Sequence, residues 1–96
     1  MLSAYRGGMG QHKTQALRAD VGGRLRALRL RAGISSQEAL ADRAGAHRTY
    51  VGRLERGESG VTVDMLAAIL AAMSVSLAEF FRPFDKPVKP ATPRRR

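Results

Sequence analysis

Residues 35–57 read SSQEALADRAGAHRTYVGRLERG, and this stretch decides the fold. Apolar residues recur at helical spacing on both sides of Gly45, which predicts two short helices over about 37–44 and 48–56. The turn between them is tight. Glycine suits this turn because we expect a side chain to clash where the two helices cross closely. The stretch therefore has the pattern of a helix-turn-helix.

The segment before this pair has the pattern of one longer helix. Apolar residues recur there at intervals of four, four and three, the spacing of a single buried face: Leu17, Val21, Leu25 and Leu28. Gly22 and Gly23 weaken the middle of this helix, each by roughly 1 kcal/mol relative to alanine. We therefore expect the helix to begin at Thr14, or as late as Asp20, and to end at Gly33.

Two more helices are predicted after the central pair. Thr62 is placed to cap a helix over about 63–73, and Ser76 with Glu79 has the spacing of a capping box before a short helix that ends near Phe81. The same spacing joins Ser35 to Glu38 at the start of the central pair. Since no strand pattern appears, the sequence predicts an all-α fold of five helices.

The positive charge of the chain is concentrated at its two ends. The 96 residues include 17 Lys and Arg against 8 Asp and Glu, a net charge of +9, of which residues 85–96 carry +4 and residues 1–20 carry +2. We expect a flexible N-terminal arm over 1–13, a folded domain over 14–84 and a basic, Pro-rich disordered tail over 85–96. Such a charge favours a polyanion partner, most commonly nucleic acid, although an arginine-rich proteome would give the same composition.

Several classes of protein are disfavoured by composition. The chain has no cysteine, and its two histidines, His12 and His47, have no cluster of carboxylates nearby, so we expect no metal and no other cofactor. The longest apolar run, residues 65–73, is about half of what spans a bilayer. No signal peptide, nucleophile with its base, or Gly-rich phosphate loop is recognisable. We expect a cytoplasmic protein that is not an enzyme and has no small-molecule ligand domain.

Five blocks of sequence occur together in one order. They are RLRALR at 24–29, QEALA at 37–41, GAHRTYV at 45–51, LERG at 54–57 and VSLAEFF at 75–81. In this order and spacing the chain resembles the lambda-repressor and Cro-like helix-turn-helix family, also called the xenobiotic-response-element class of transcriptional regulators. Residues 47–50 and 60–63 are similar to the controller proteins of restriction–modification systems. The resemblance implies a compact five-helix domain that binds double-stranded DNA.

The resemblance assigns the DNA contacts to the starts of the two central helices. Gln37 would donate to a phosphate, and Arg48 and Thr49 would face the base edges of the major groove. The absence of a side chain at Gly52 would let the helix approach the groove, or have no consequence. Arg53 would contact a base or a phosphate.

Three further positions each keep two interpretations. Arg56 would meet a phosphate or offset the helix dipole. His47 takes an N-cap position, from which its ring could also reach a phosphate or a base. Tyr50 would point its hydroxyl at the sugar–phosphate backbone or be a half-buried structural residue.

Two more implications concern the scaffold. Within this family a carboxylate at the position of Glu55 pairs with an arginine of the first helix, here Arg29. The chain also has one more residue than the family usually has between Gly33 and Gln37, because Ser35 and Ser36 are both present. This insertion could shift the start of the second helix.

The fourth predicted helix favours a second copy of the chain as a partner. Residues 65–73 are apolar around the whole helix, although a surface helix normally keeps one polar face. We expect a homodimer whose interface includes Met65, Ile69, Met73, Phe80 and Phe81, with two recognition helices one DNA turn apart, roughly 34 Å. The alternative is a central helix buried in a compact monomer.

These observations together predict the function. We expect a sequence-specific DNA-binding transcriptional regulator that acts as a homodimer on a palindromic operator. The alternative is an antitoxin-type protein-interaction module of a toxin–antitoxin pair, since such antitoxins can share the fold. A segment that wraps a toxin would normally carry apolar anchors, and residues 87–96 offer only Val88 and Ala91.

Overall fold

The computed structural model describes the backbone of residues 2–86 and the side chains of residues 14–86. Its elements are α1 (Leu2–Arg31), α2 (Gln37–Ala44), α3 (Arg48–Glu55), α4 (Val63–Ala71), α5 (Leu77–Phe81) and a 3-10 helix (Arg82–Phe84). The predicted all-α fold of five helices is confirmed, and within the described residues no helix is long and apolar enough to cross a membrane. Most of the predicted tail, residues 87–96, lies outside the described residues.

The first helix starts much earlier than the sequence pattern predicts. α1 begins at Leu2 instead of Thr14 or Asp20, so the backbone of residues 2–13 is helical where we expected an arm without regular structure. No proline interrupts this stretch, and each residue added to an existing helix gains one hydrogen bond, so its three glycines weaken the helix without ending it. The domain boundary at residue 14 stays a prediction.

The two central glycines of α1 have different roles. A Cβ on Gly22 would lie 2.2 Å from the carbonyl oxygen of Leu54 and 2.7 Å from that of Glu55, whereas a Cβ on Gly23 would meet nothing within 4 Å. Gly22 therefore lets the backbone of α1 touch the end of α3. Because this approach fixes how the two helices cross, Gly22 positions α3 relative to the rest of the protein.

One hydrophobic core joins the five helices. Its buried members are Leu25, Leu28, Ile34, Leu40, Ala41, Val51, Leu54, Leu66, Ile69, Leu70, Met73 and Phe80. The helical spacing of apolar residues on both sides of Gly45 corresponds to buried faces of α2 and α3, where Leu40, Ala41, Val51 and Leu54 are all buried. Leu17, which we placed on the buried face of α1, is 54% exposed, so the buried face of that helix begins later.

The burial of α4 and α5 corrects the predicted dimer interface. Ile69 and Phe80 are fully buried and Met73 is buried in the same core, so these three side chains have no surface to offer a partner. For this side of α4 the alternative of a central buried helix applies. Met65 is half-buried and Phe81 is 40% exposed, so only these two of the five predicted residues remain candidates.

The ends of α4 and α5 are held by side chains. The hydroxyls of Thr62 and Ser76 each accept a hydrogen bond from the backbone N–H three residues on, which confirms both predicted N-caps. At the other end of α5, Arg24 of α1 donates from Nε to the Phe80 carbonyl at 3.0 Å and from Nη2 to the Glu79 carbonyl at 2.8 Å. Arg24 thereby satisfies carbonyls at the helix C-terminus and fixes α5 against α1.

Candidate nucleic-acid interface

The start of α2 is set by Ser36. Its Oγ accepts a hydrogen bond from the Ala39 backbone N–H at 3.0 Å, and α2 begins at Gln37. The predicted capping box of Ser35 and Glu38 is therefore wrong: the cap lies one residue later, and Ser35 is an exposed loop residue. The insertion is taken up in the loop, so Gln37 occupies the first position of α2, at its positive end.

The turn between α2 and α3 depends on backbone conformation. Gly45 has φ +71° and a Cβ there would meet nothing within 4 Å, so the residue is glycine because of its left-handed backbone and not, as we predicted, because a side chain would clash. After the turn, Nδ1 of His47 accepts a hydrogen bond from the Thr49 N–H at 3.2 Å, which confirms His47 as the N-cap of α3.

The start of α2 and one side of α3, from Arg48 to Arg56, form one open cleft of about 380 Å³, which we call the α2–α3 cleft. It is lined by Ser36, Gln37, Glu38, Arg48, Thr49, Gly52 and Arg56. Five of the eight residues predicted to bind DNA are thus brought together. The other three lie outside the cleft: His47 and Arg53 are exposed, and Tyr50 is half-buried against the core, as in its structural interpretation.

Gly52 has a role that neither of its two interpretations included. It is buried, and a Cβ there would lie 2.8 Å from Oε1 of Gln37 and 3.1 Å from Nη1 of Arg56. The outward side of α3 at this position is covered by the Gln37 side chain. Glycine at position 52 therefore makes room for Gln37 instead of letting the helix itself approach a groove.

A buried hydrogen-bond network holds Gln37 in place. The Glu55 carboxylate accepts from Arg29 Nε at 2.7 Å and Nη2 at 3.0 Å, which confirms the pair implied by the family resemblance. Arg29 also donates to the Ile34 carbonyl at 3.0 Å. Oε1 of Glu55 accepts a further bond from Nε2 of Gln37 at 3.0 Å. That amide carries two hydrogens, so this bond leaves one for an acceptor in the cleft.

The two arginines that line the cleft each face a glutamate. Arg48 Nη1 lies 3.4 Å from Oε1 of Glu38, and Arg56 contacts Glu58 through Nε at 3.0 Å and Nη2 at 3.4 Å. All four side chains are exposed. The hydrogen bond from Arg56 lowers the pKa of Glu58, so this carboxyl group stays ionised to a lower pH than usual.

Three of these contacts were not predicted from the sequence: the hydrogen bond from Gln37 to Glu55 and both exposed ion pairs. Glu58 follows Arg56 by two residues just beyond α3, a spacing that could have indicated their pairing. Glu38 and Arg48 are ten residues apart, and only the crossing of α2 with α3 brings them together.

This architecture defines a class of protein. Residues 25–80, more than half of the chain, match the family model of helix-turn-helix domains. The chain therefore belongs to the helix-turn-helix family, in agreement with the lambda-repressor-like resemblance of its sequence. Its class is that of DNA-binding transcriptional regulators.

Relatives are found among regulators. The control protein C.BamHI of Bacillus amyloliquefaciens is 37% identical over 62 residues, which cover 65% of this chain and 76% of that protein. The control protein C.SmaI of Serratia marcescens is 45% identical over 42 residues, 44% of this chain and half of that protein. Among solved structures, the clp gene regulator ClgR of C. glutamicum is 30% identical with a TM-score of 0.65, over 69% of this chain and 83% of that chain.

Proposed function

We propose that this protein binds a palindromic operator in double-stranded DNA as a homodimer, with α3 as its recognition helix, and controls the genes of a restriction–modification system. The two control proteins among its relatives support the last part, together with the resemblance of residues 47–50 and 60–63 to such controllers. The names of these relatives indicate regulators, and none indicates an antitoxin. We therefore propose no second function.

The α2–α3 cleft is the observation that carries this proposal. Gln37 at the positive end of α2 and Arg56 near the end of α3 suit phosphates on the two sides of a groove. Arg48 and Thr49 stand in the first turn of α3, exposed, where side chains of a recognition helix reach base edges. His47, the N-cap of α3, and Arg53 within α3 add exposed donors beside them. Tyr50 supports the turn from its half-buried position.

Selection of binding sites from a random duplex library tests the proposal. The protein is purified as the full chain and the selection is done at about 150 mM salt, where non-specific binding is weak. We expect a consensus of two half-sites related by a dyad, roughly one DNA turn apart. Binding without enrichment of any sequence, lost on addition of salt, would contradict sequence-specific regulation.

Arg48 is expected to read a base. Guanine offers O6 and N7 to a bidentate guanidinium, so Arg48→Ala should lose about 1–3 kcal/mol on the selected operator and little on random DNA. Titrations of both duplexes by fluorescence anisotropy measure the two losses. Equal losses on operator and random duplex would assign Arg48 to a phosphate.

An apolar groove supports the homodimer. Leu17, Val21, Val61, Val63, Leu66 and Phe81 line a groove of about 230 Å³ whose polar rim includes Arg18. Val63 at the start of α4 is 68% exposed and Phe81 is 40% exposed, so apolar surface stands beside an apolar groove on the same face. A two-fold axis would let each copy fill the groove of the other. Of the two candidates that remained, Phe81 lines this groove and Met65 does not, so the proposed interface keeps Phe81 and adds Val63 and Leu17.

A charge at Val63 should break this dimer. Val63→Glu places the carboxylate in the first turn of α4, where it suits the helix dipole, so the monomer should stay folded. Arg18 on the rim of the groove offsets that charge only in part, so burying it should raise the dimer Kd by about 10-fold or more. Leu30→Lys is the matched control. It puts a positive charge near the C-terminal end of α1, where the helix dipole favours cations, and position 30 lies outside the groove. Sedimentation equilibrium measures both, and an unchanged dimer in Val63→Glu would exclude this face.

A further inference from the structure

The cations of the α2–α3 cleft are already paired with acids of the same chain. The guanidinium of Arg56 meets both oxygens of the Glu58 carboxylate, at 3.0 and 3.4 Å, which is the arrangement in which it would hold two oxygens of a phosphate. Glu38 lines the cleft itself and lies 3.4 Å from Arg48. Two negative charges thus stand against the two arginines that the proposed function assigns to DNA.

Neither ion pair is explained by the stability of the fold. Both ion pairs are exposed, and exposed pairs contribute little because water screens them. Glu55, by contrast, is buried and holds Arg29 and Gln37. Glu38 does suit the positive end of α2, a modest effect that a neutral Gln would reduce without removing the side-chain volume.

DNA entering the cleft has to change both pairs. A phosphate or a guanine edge that takes Arg48 or Arg56 must displace the carboxylate, and the displaced carboxylate then stays close to the polyanion. Like charges at such a distance repel, most strongly where water is excluded. Each glutamate therefore opposes DNA binding in two ways: it competes with DNA for its arginine, and its charge repels the phosphates.

From this geometry we infer that Glu38 and Glu58 are affinity-limiting residues, intramolecular competitors that DNA displaces from Arg48 and Arg56. This inference rests on the proposed function. The glutamates act on charge and not on sequence, so they lower affinity for operator and random DNA alike. Their effect is to keep the free protein from accumulating on bulk DNA while leaving the preferred sequence unchanged.

The expected result is tighter binding when either charge is removed. Glu38→Gln and Glu58→Gln should each raise affinity about three-fold on both duplexes, and the double variant about ten-fold. The magnitude of the salt slope, d log K against d log [salt], should also increase, because less of the cleft's positive charge is offset. Circular dichroism of each variant checks that the helices are retained.

A third carboxylate provides the control. Asp20→Asn removes the same unit charge from α1 beside the 3-10 helix, where Asp20 shares a surface depression with Phe84 and Lys86. All variants are titrated as full chains against the selected operator and a random duplex of equal length. Affinity should change in Asp20→Asn by much less than in either cleft variant, because that charge lies outside the cleft.

The possible outcomes separate the inference from the proposed function. Equal small gains in all three single variants would overturn the inference, since only net charge would matter. A loss of operator affinity in Glu38→Gln would overturn it for Glu38, showing that this glutamate holds Arg48 toward its base. Wild-type protein with no preference for any operator would overturn the proposed function, whereas preference with unchanged variants would overturn the inference alone.

Discussion

Gly22→Ala should lower the free energy of unfolding by about 3 kcal/mol or more. The added methyl group would lie 2.2 Å from the Leu54 carbonyl oxygen and 2.9 Å from the carbonyl carbon of Glu55, so backbone atoms have to move. α1 cannot simply shift outward, because Leu25 is buried on the same face and Arg29 is bonded to Glu55. Small domains have total stabilities of about 5–15 kcal/mol, so this loss is a large fraction.

Urea unfolding followed by circular dichroism measures this effect, and Gly23→Ala is the matched control. Gly23 is exposed with no atom near its Cβ, so alanine there should only improve helix propensity and add about 0.5–1 kcal/mol. The two neighbouring glycines should therefore shift the unfolding midpoint in opposite directions. A Gly22→Ala protein as stable as the wild type would show that α1 and α3 do not cross as closely as described.

Features that depend on local signals could be predicted from the sequence. The hydrophobic period, the glycine of the turn and the polar N-caps are local signals, and they predicted α2, α3 and the caps at His47, Thr62 and Ser76. The Arg29–Glu55 pair needed more than local pattern. It was predicted through family resemblance, since nothing in the spacing of residues 26 positions apart indicates contact.

The other features could not be predicted from the sequence, because each depends on which neighbouring element a helix face packs against. Gly22 and Gly23 are equivalent to a propensity scale, and only the approach of α3 distinguishes them. A helical projection places Gly52 outward because it cannot include a side chain from another helix, here Gln37. Because α4 is apolar on all sides, its sequence could not show that Ile69 faces the protein's own core. Which of Ser35 and Ser36 caps α2 likewise depends on where the preceding loop ends.

Removal of one partner from the buried Arg29–Glu55 pair should be the second large effect. Both side chains are at least 95% buried, so Glu55→Met or Arg29→Met would leave an uncompensated charge in the core, at about 3–5 kcal/mol. The Glu55 variant also leaves Gln37 without its acceptor, so the amide that lines the α2–α3 cleft loses its fixed position.

The double variant Arg29→Met, Glu55→Met separates the charge effect from the packing effect. With both charges gone, the remaining loss comes from the Ile34 carbonyl and the Gln37 amide, which lose their partners at a cost of about 1–3 kcal/mol each. The double variant should therefore be more stable than the sum of the losses in the two single variants predicts. Urea unfolding of the four proteins completes the cycle. Additive losses would mean that the two charges do not stabilise each other. A strong coupling would instead show that the two charges stabilise each other across the packing of α1 on α3.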